Sequence, residues 1–311
     1  MAQRLAVNRQ ARAKKRPSGL SGHGLVARDD FGVELSRQAG LYDDPVIYDL
    51  LHEPGTHSEA RTLARVWKRV SAAAPRVALE PACGTGRYLE RLARAGWIVR
   101  GFDLDANMVK FAMARLRELG ANKSSAIRVW RDRFDTFGRR VRADSVGLAF
   151  CPINSIRHVA SDAELVRHLR MIRRVLAPGG VYAVGISLSV YGAEAPTEDI
   201  WKSSRRGISV KQIVNYTPAA GRKTARERAE RVDSVLEIRR GNKTEIRSAS
   251  YSLLSFSREQ WENAVARSGL VVIGIVNESA ARFDPGAIGY AIWLLARPEH
   301  PLSVRGSGRS D

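Results

Sequence analysis

Short apolar runs alternate with amphipathic stretches between residues 41 and 187. Short apolar runs predict five strands, at residues 77–81, 97–102, 127–130, 145–150 and 181–187. Apolar residues at helical spacing predict four helices, over about residues 58–73, 87–95, 106–119 and 161–176. Strands that alternate with helices in this way indicate a parallel sheet with helices on both faces, so the fold class is α/β.

The pattern changes after Ser187. Four residues of the following segment alternate with charged or polar neighbours, namely Val232, Ser234, Leu236 and Ile238. Such alternation is typical of a strand with one face in water. Gly241-Asn242 predicts a hairpin turn, and residues 246–256 form the predicted return strand. We therefore interpret residues 188–256 as a small antiparallel β insert.

The helix–strand pattern resumes at Ser257-Arg258-Glu259-Gln260, a capping box that predicts a helix to about Ser268. Two strands follow, at residues 271–276 and 288–296. The expected organisation has five segments: a basic disordered tail over 1–40, a core over 41–187, an antiparallel lid over 188–256, the return of the core over 257–298, and a flexible tail over 299–311.

Composition narrows the class of protein only in part. The 311 residues include 51 Lys and Arg against 32 Asp and Glu, a formal net charge of +19. This charge fits a nucleic-acid partner, an anionic small molecule or an arginine-rich solvated surface. Because no apolar run reaches the roughly 18 residues of a membrane helix and none follows the basic N-terminus, we expect a cytoplasmic protein. Cys83 and Cys151 lack metal-site spacing, so we expect two reduced thiols and no metal.

The first strand of the alternating region ends in a glycine-containing run, Glu80-Pro81-Ala82-Cys83-Gly84-Thr85-Gly86-Arg87. Glycines at a strand-to-helix turn let the backbone approach a ligand, and the helix N-terminus directs amide donors towards it. Asp103 ends the second strand, where a carboxylate can accept both hydroxyls of a ribose. These features fit a cofactor that contains adenosine.

Two details distinguish among such cofactors. A dinucleotide fingerprint has a third glycine three residues after the second, and this chain has Leu89 there. The Glu80 carboxylate would repel a pyrophosphate, whereas it suits the cationic amino end of S-adenosylmethionine. The run therefore favours S-adenosylmethionine over a dinucleotide.

Residues 79–87 resemble the first motif of class I S-adenosylmethionine-dependent methyltransferases, and residues 101–105 with Met108 resemble the second. Asp132, Asn154-Ser155 with His158, and residues 176–180 resemble later motifs. The resemblance covers about residues 41–298. It implies a Rossmann-like sheet of seven strands with the last one antiparallel. It also implies that the insert after strand five is a lid over the substrate, as in N-methyltransferases of amino acids and aminosugars.

The resemblance also implies roles for individual residues. Eleven are expected to contact the cofactor: Tyr48, Glu80, Ala82, Gly84, Gly86, Arg87, Asp103, Leu104, Met108, Asp132 and Cys151. Among them, Glu80 supports the amino acid end, Asp103 holds the ribose, and Asp132 contacts the adenine amine. A solvated loop carboxylate is the alternative for Asp132.

The implied chemistry is in-line displacement of a methyl group from a sulfonium onto a nitrogen or oxygen, driven mainly by proximity and exclusion of water. No catalytic triad is needed, and none is evident. His158 is the candidate base by position, with a purely structural hydrogen bond as the alternative. Tyr42 is the second catalytic candidate, because its ring can shield the sulfonium, or else it is a core contact. Four residues are candidates for substrate binding: Asn154, Ser155, Arg205 and Arg206.

Two other functions stay open beside small-molecule methylation. Residues 201–247 hold 13 Lys and Arg against 5 Asp and Glu, which suits an anionic acceptor or RNA. Against nucleic acid, the run Phe150-Cys151-Pro152-Ile153-Asn154 does not match the Asn/Asp-Pro-Pro-aromatic run of base amino-methyltransferases, and Cys151-Pro152 reverses the order of cytosine C5 enzymes. A non-catalytic S-adenosylmethionine-binding protein is the third hypothesis. We expect a small-molecule acceptor, with no membrane partner.

Overall fold

The computed structural model of the chain describes residues 35–37, 40–120, 126–284, 286 and 289–303. Most of the predicted basic tail over residues 1–40 lies outside the described residues, as does the chain after residue 303. Within the predicted N-terminal tail, residues 35–37 form a short strand that pairs with the insert.

The described residues form six α-helices: α1 (Pro45–His52), α2 (Thr56–Val70), α3 (Arg87–Arg94), α4 (Ala106–Arg117), α5 (Asp162–Val175) and α6 (Arg258–Ser268). Twelve strands accompany them in the described residues: β1 (Leu35–Arg37), β2 (Val77–Pro81), β3 (Ile98–Asp103), β4 (Ile127–Arg131), β5 (Val146–Cys151), β6 (Leu176–Leu188), β7 (Thr197–Arg205), β8 (Ile208–Thr217), β9 (Ala229–Arg240), β10 (Lys243–Leu254), β11 (Val271–Val276) and β12 (Gly289–Ala296).

The core sheet has seven strands in the order β11-β12-β6-β5-β2-β3-β4. Its pairings are parallel except those of β12, which is antiparallel to both neighbours. Every residue of β5 is buried, because helices cover both faces. The predicted fold class is confirmed. The strand order reverses between β5 and β2, and ligands of such sheets bind beyond the carboxyl ends of the strands at this point.

Helix α1 was not predicted from the sequence, although its start has clear signals. The Asp44 side chain accepts the backbone N–H groups of Val46 and Ile47, and Pro45 occupies the first turn. Apolar residues of α1 pack against the inner face of the insert, in a buried cluster that includes Ile47, Leu50, Leu51, Val210, Leu236 and Ile238. The N-terminal helix therefore lies against the lid and holds it over the core.

The insert forms an antiparallel sheet in the order β10-β9-β8-β7, with β1 added parallel to β10. The predicted hairpin at Gly241-Asn242 joins β9 and β10, and the predicted alternation in β9 does bury one face. Strands β7 and β8 were not identified individually from the sequence. The insert leaves and rejoins the core at one point, where the Ser189 N–H donates to the Phe256 carbonyl at 2.9 Å.

Two predicted boundaries were wrong. Pro178-Gly179-Gly180 was expected to separate α5 from the next strand, but β6 already begins at Leu176, which pairs with Val146 across a register shift. The flexible C-terminal tail was expected from residue 299, yet His300 is 1% exposed. Among the residues that the structure describes, no helix is both long and apolar enough to cross a membrane.

Candidate active site

A cavity of about 960 Å³ lies between the carboxyl ends of the core strands and the insert. The core contributes residues that follow β2, β3 and β5, among them Gly84, Asp103 and Asn154, and the insert contributes Gln212 and Tyr251. Ligand pockets span roughly 300–1,000 Å³, so this cavity has room for a cofactor and an acceptor together.

The glycine loop and the tip of β3 are joined by one carboxylate. The Gly84 N–H donates to Asp103 Oδ2 at 2.8 Å, and the Asp105 N–H donates to Asp103 Oδ1 at 2.9 Å. Burial raises the pKa of Asp103, although these backbone donors oppose that shift. A carboxylate has about four acceptor positions, so Asp103 keeps capacity for the hydroxyls of a ribose. Gly84 has φ +51°, a conformation that favours glycine.

Glu80 lines the same side of the cavity and is 2% exposed. Its Oε2 atom has no hydrogen-bond partner among the described residues, and burial raises the pKa of this carboxyl well above its usual range. A buried acceptor without a partner is costly unless a ligand pairs with it. Glu80 therefore fits the ammonium group of S-adenosylmethionine, which supports the predicted role.

Tyr48 and Arg87 form the wall beside the glycine loop. A Cβ added at Gly84 would lie 3.4 Å from the Tyr48 ring. Arg87 is buried and donates to Thr56 Oγ1 at 2.6 Å and to the Tyr88 hydroxyl at 2.8 Å. Arg87 thus ties the glycine loop to α2 while it lines the cavity, as do Ala82 and Met108.

The tips of β3 and β4 form the far end of the cofactor side. Asp132 accepts the Trp130 indole N–H at 3.0 Å and the Arg133 backbone N–H at 2.9 Å. Leu104 lines the cavity and is 56% exposed, and its carbonyl accepts the Arg131 guanidinium at 2.8 Å. An exposed apolar side chain beside a fixed carboxylate suits a flat ring that carries an amino group.

His158 lies on the acceptor side of the cavity in contact with two tyrosines. Its Nε2 atom is 3.5 Å from the Tyr42 hydroxyl, and its ring stacks on Tyr251 at 5.7 Å between centroids. Desolvation, with a smaller contribution from the adjacent Arg157 charge, lowers the pKa of His158 to about 4. The imidazole is therefore neutral near pH 7, which leaves one ring nitrogen able to accept a proton.

Asn154 and Ser155 line the cavity but are already engaged in its turn. The Asn154 amide donates to Ser187 Oγ at 3.1 Å and accepts the Ser187 N–H at 2.6 Å. Ser155 Oγ donates to the Pro152 carbonyl at 3.1 Å. These side chains join the ends of β5 and β6, so the structure gives them a role in shaping the turn. Their role in substrate binding stays a prediction.

Four predicted site residues do not line the cavity. Gly86 packs against α4, where a Cβ would lie 3.0 Å from Ala112 Cβ. Cys151 is fully buried beneath the site. Arg205 binds the Asp49 carboxylate at 3.1 Å, and Arg206 is exposed in the turn between β7 and β8. The structure places these four residues in packing or surface contacts away from the cavity wall, and their contact with a ligand stays a prediction.

The sequence interpretation missed most of the acceptor side. The lid residues that line it include Asp199, Trp201, Gln212, Tyr216, Glu230 and Tyr251. Arg157 was also missed: it is buried and donates to Glu230 Oε2 at 2.5 Å, to Ser255 Oγ at 3.0 Å and to the Leu254 carbonyl at 3.1 Å. Alternation along β9 marked the buried face of the insert, but it could not show what that face covers.

Comparisons with known proteins agree with this geometry. Residues 78–180 match the family described as methyltransferase domain. A curated relative from Streptomyces fradiae, dTDP-3-amino-3,6-dideoxy-alpha-D-glucopyranose N,N-dimethyltransferase, is 28% identical over 242 residues, which cover 73% of this chain and 83% of that protein.

Solved structures extend the likeness beyond the matched domain. DesVI from Streptomyces venezuelae superposes with a TM-score of 0.64 at 18% identity, covering 84% of this chain and 99% of that chain. CalS10 from Micromonospora echinaspora, an amino pentose methyltransferase solved with bound S-adenosylmethionine, has a TM-score of 0.57 at 21% identity, covering 77% and 91%. At these identities the likeness shows the fold, and the coverage includes part of the insert as well as the core.

Proposed function

This chain belongs to the class I S-adenosylmethionine-dependent methyltransferases, and on that premise we propose that it methylates an amine nitrogen of a small, sugar-like molecule. S-adenosylmethionine is its methyl donor. The observation that carries the proposal is a single cavity with Glu80, Gly84 and Asp103 on one side and Tyr42 and His158 on the other. The name of the Streptomyces fradiae relative supports an amino sugar as the acceptor.

The chemistry of the acceptor side supports nitrogen over oxygen. A neutral amine already has a free lone pair, whereas a hydroxyl must lose its proton during transfer. The only imidazole next to Tyr42 in the described residues is His158, whose lowered pKa makes it a weak base. A weak base is poorly suited to activate a hydroxyl, whereas a neutral amine needs no base, because its ammonium product releases the proton to water after transfer.

The chain's own residues bind, orient and exclude water. When bound, S-adenosylmethionine supplies a methyl group on a positively charged sulfur, and the electrons of the broken C–S bond remain with that sulfur. Glu80 would bind the amino acid end of the donor and Asp103 its ribose, and the rings of Tyr42 and Tyr251 exclude water from the acceptor side. The methylated ammonium then releases its proton to water, and the neutral His158 ring, held beside Tyr42 and Tyr251, orients the acceptor. Alignment of the reacting atoms accounts for most of the rate enhancement in such a site.

An anionic acceptor and RNA find less support in the cavity. Both hypotheses depended on the basic residues of the insert. The structure describes every residue of the insert, and none of its Lys or Arg residues lines the cavity. Two observations support a protein that binds the cofactor over one that has lost this ability. The glycine loop is held in place by the hydrogen bond from the Gly84 N–H to Asp103, and Glu80 Oε2 has no hydrogen-bond partner among the described residues.

The test is methyl transfer to matched acceptors. Purified protein is incubated with S-adenosylmethionine and with glucosamine, N-acetylglucosamine, glucose or a short RNA, and S-adenosylhomocysteine release and product mass are recorded. We expect release only with the free amine and a mass gain of one or two methyl groups on nitrogen. Asp103→Ala serves as the control that removes donor binding. Methylation of glucose or RNA in preference to the amine would contradict the proposal.

A further inference from the structure

The insert and the cavity that it covers differ in charge. Lys202 and Lys211 are register partners, and strand alternation places them on the face opposite Trp201 and Gln212, which line the cavity. No Lys or Arg of the insert lines the cavity, although residues 201–247 contain 13 of them. Three carboxylates of the insert do line it: Glu198, Asp199 and Glu230.

The whole cavity has the opposite sign to the chain. Eight carboxylates and four arginines line it, a difference of four negative charges, whereas the chain carries a formal charge of +19. Each of the four arginines already has a protein partner: Arg87 binds Glu59, Arg131 the Leu104 carbonyl, Arg133 Asp135 and Glu164, and Arg157 Glu230. Among the residues described, Arg131 is the one cavity arginine without a carboxylate partner, and it lies at the cofactor end beside Leu104, so the acceptor side offers no uncommitted cation to a phosphate.

Among the insert carboxylates that line the cavity, Asp199 has the clearest need for a partner. It is half-buried, it has no hydrogen-bond or ionic partner within the described part of the chain, and desolvation raises its pKa. Tyr216 lies on the neighbouring strand β8, and its own pKa is raised by burial and by the nearby Asp199 and Glu230 carboxylates. A carboxylate beside the ring of a tyrosine provides both a counter-charge and a π-face for a cation.

We propose that the acceptor carries a second ammonium group, besides the amine that is methylated, and no phosphate, and that Asp199 binds this second group. The proposal rests on the proposed N-methyltransferase function and narrows its substrate class. It separates this chain from enzymes for nucleotide-linked amino sugars, because a nucleoside diphosphate would place two phosphates near a surplus of carboxylates. The acceptor class is a free diamino or oligoamino sugar.

Three probes on one sugar ring test this specificity. Glucosamine, glucosamine 6-phosphate and 2,6-diamino-2,6-dideoxyglucose differ only in the group at position 6. Each is titrated calorimetrically into the full chain saturated with S-adenosylhomocysteine, which prevents turnover. We expect the diamine to bind about tenfold more tightly than glucosamine, in line with one charge-assisted hydrogen bond, and the phosphate to bind more weakly. A diamine that binds no better than glucosamine, at any absolute affinity, overturns the proposal.

Two matched variants locate the second ammonium group. Asp199→Asn keeps the shape of the side chain and should reduce the diamine's advantage over glucosamine to less than about threefold. Asp233→Asn makes the same change on the outer face of the same sheet and should leave the advantage intact. Thermal unfolding of both variants confirms that the lid is folded. An advantage that survives in Asp199→Asn rules out Asp199 as the binding group.

Turnover distinguishes this proposal from the function on which it rests. If the diamine binds through Asp199 but releases no S-adenosylhomocysteine with the methyl donor, N-methylation fails while the specificity stands. If glucosamine and its 6-phosphate are methylated equally well and Asp199→Asn has no effect, N-methylation stands and the specificity fails.

Discussion

The two sides of the cavity are built in different ways. On the cofactor side, backbone groups at the ends of β2 and β3 hold the site, and the Gly84 N–H to Asp103 bond is an example. On the acceptor side, side chains of the lid and the core form the site and bind each other, as Arg157 and Glu230 do. A backbone-built site tolerates little change but serves a constant ligand, whereas a side-chain-built site can be altered one residue at a time. The following changes should each affect one side and spare the other, except the last, which should affect neither.

The largest effect is expected from Gly84→Val. A branched side chain at φ +51°, with its Cβ 3.4 Å from the Tyr48 ring, forces the loop to relax out of its ligand-binding shape. A non-glycine residue held in this region costs about 1–3 kcal/mol, so S-adenosylmethionine affinity should fall roughly 10- to 100-fold by calorimetry. The control is Gly96→Val, which has φ +82° and nothing within 4 Å of the added Cβ. Equal affinity losses in both variants would mean that strain alone, and not the cradle, is responsible.

The next largest effect concerns Arg157→Met. Removal of this guanidinium leaves Glu230 without its partner and frees the lid from the segment that carries His158. We expect kcat/KM for the acceptor to fall at least about tenfold while S-adenosylmethionine affinity changes less than about twofold. Arg157→Lys should recover part of the activity, and Arg231→Met, on the outer face, is the matched control. A parallel loss of donor affinity would show that the two sides are not separable.

The pH dependence of kcat/KM for the acceptor, measured with the methyl donor saturating, should distinguish the acceptor amine from His158. Desolvation lowers the pKa of His158 to about 4, so this group is neutral above about pH 5 and gains a proton only in stronger acid. The acid limb of kcat/KM between pH 6 and 9 should therefore follow the pKa of the acceptor amine, and it should persist in His158→Gln at a lower overall rate. A limb near pH 6.5 that disappears in His158→Gln would contradict the assignment of a depressed pKa.

The smallest effect is expected from Arg206→Glu. This residue was a substrate-binding candidate, but it lies exposed in the turn between β7 and β8 and does not line the cavity. Charge reversal there should leave both donor affinity and acceptor KM within about twofold, as for most surface changes. A large rise in KM, measured with the acceptor that supports turnover, would place the turn in the path of the substrate.

The positions of Gly84 and Asp103 in the cavity wall could be predicted from the sequence because both residues are adjacent to strand ends. Gly84 and Asp103 follow directly from the apolar runs before them, and parallel strands bring such ends together. Gly86 and Cys151 lie away from the cavity wall, because motif position alone does not distinguish a ligand contact from packing against Ala112 or burial beneath the site.

The acceptor side was predictable only in outline. Alternation in β9 identified the insert and its buried face, but the cavity-lining residues Trp201 and Tyr216 come from strands whose partners the sequence does not specify. Net charge was misleading, because counting Lys and Arg over residues 201–247 ignores which face of a sheet each side chain is on. Face assignment depends on tertiary contacts, and one sequence contains no direct record of them.

Because the two ends of the lid are joined by the Ser189–Phe256 hydrogen bond, the lid can be exchanged as one segment of the chain. A segment whose two ends are hydrogen-bonded to each other can be replaced by one of different length with little change in the entropy of loop closure. Chimeras that join the core of this enzyme to the lid of another methyltransferase at this junction could therefore acquire new acceptors and keep the donor site. Gene duplication followed by recombination at such a junction would diversify acceptors in nature by the same route.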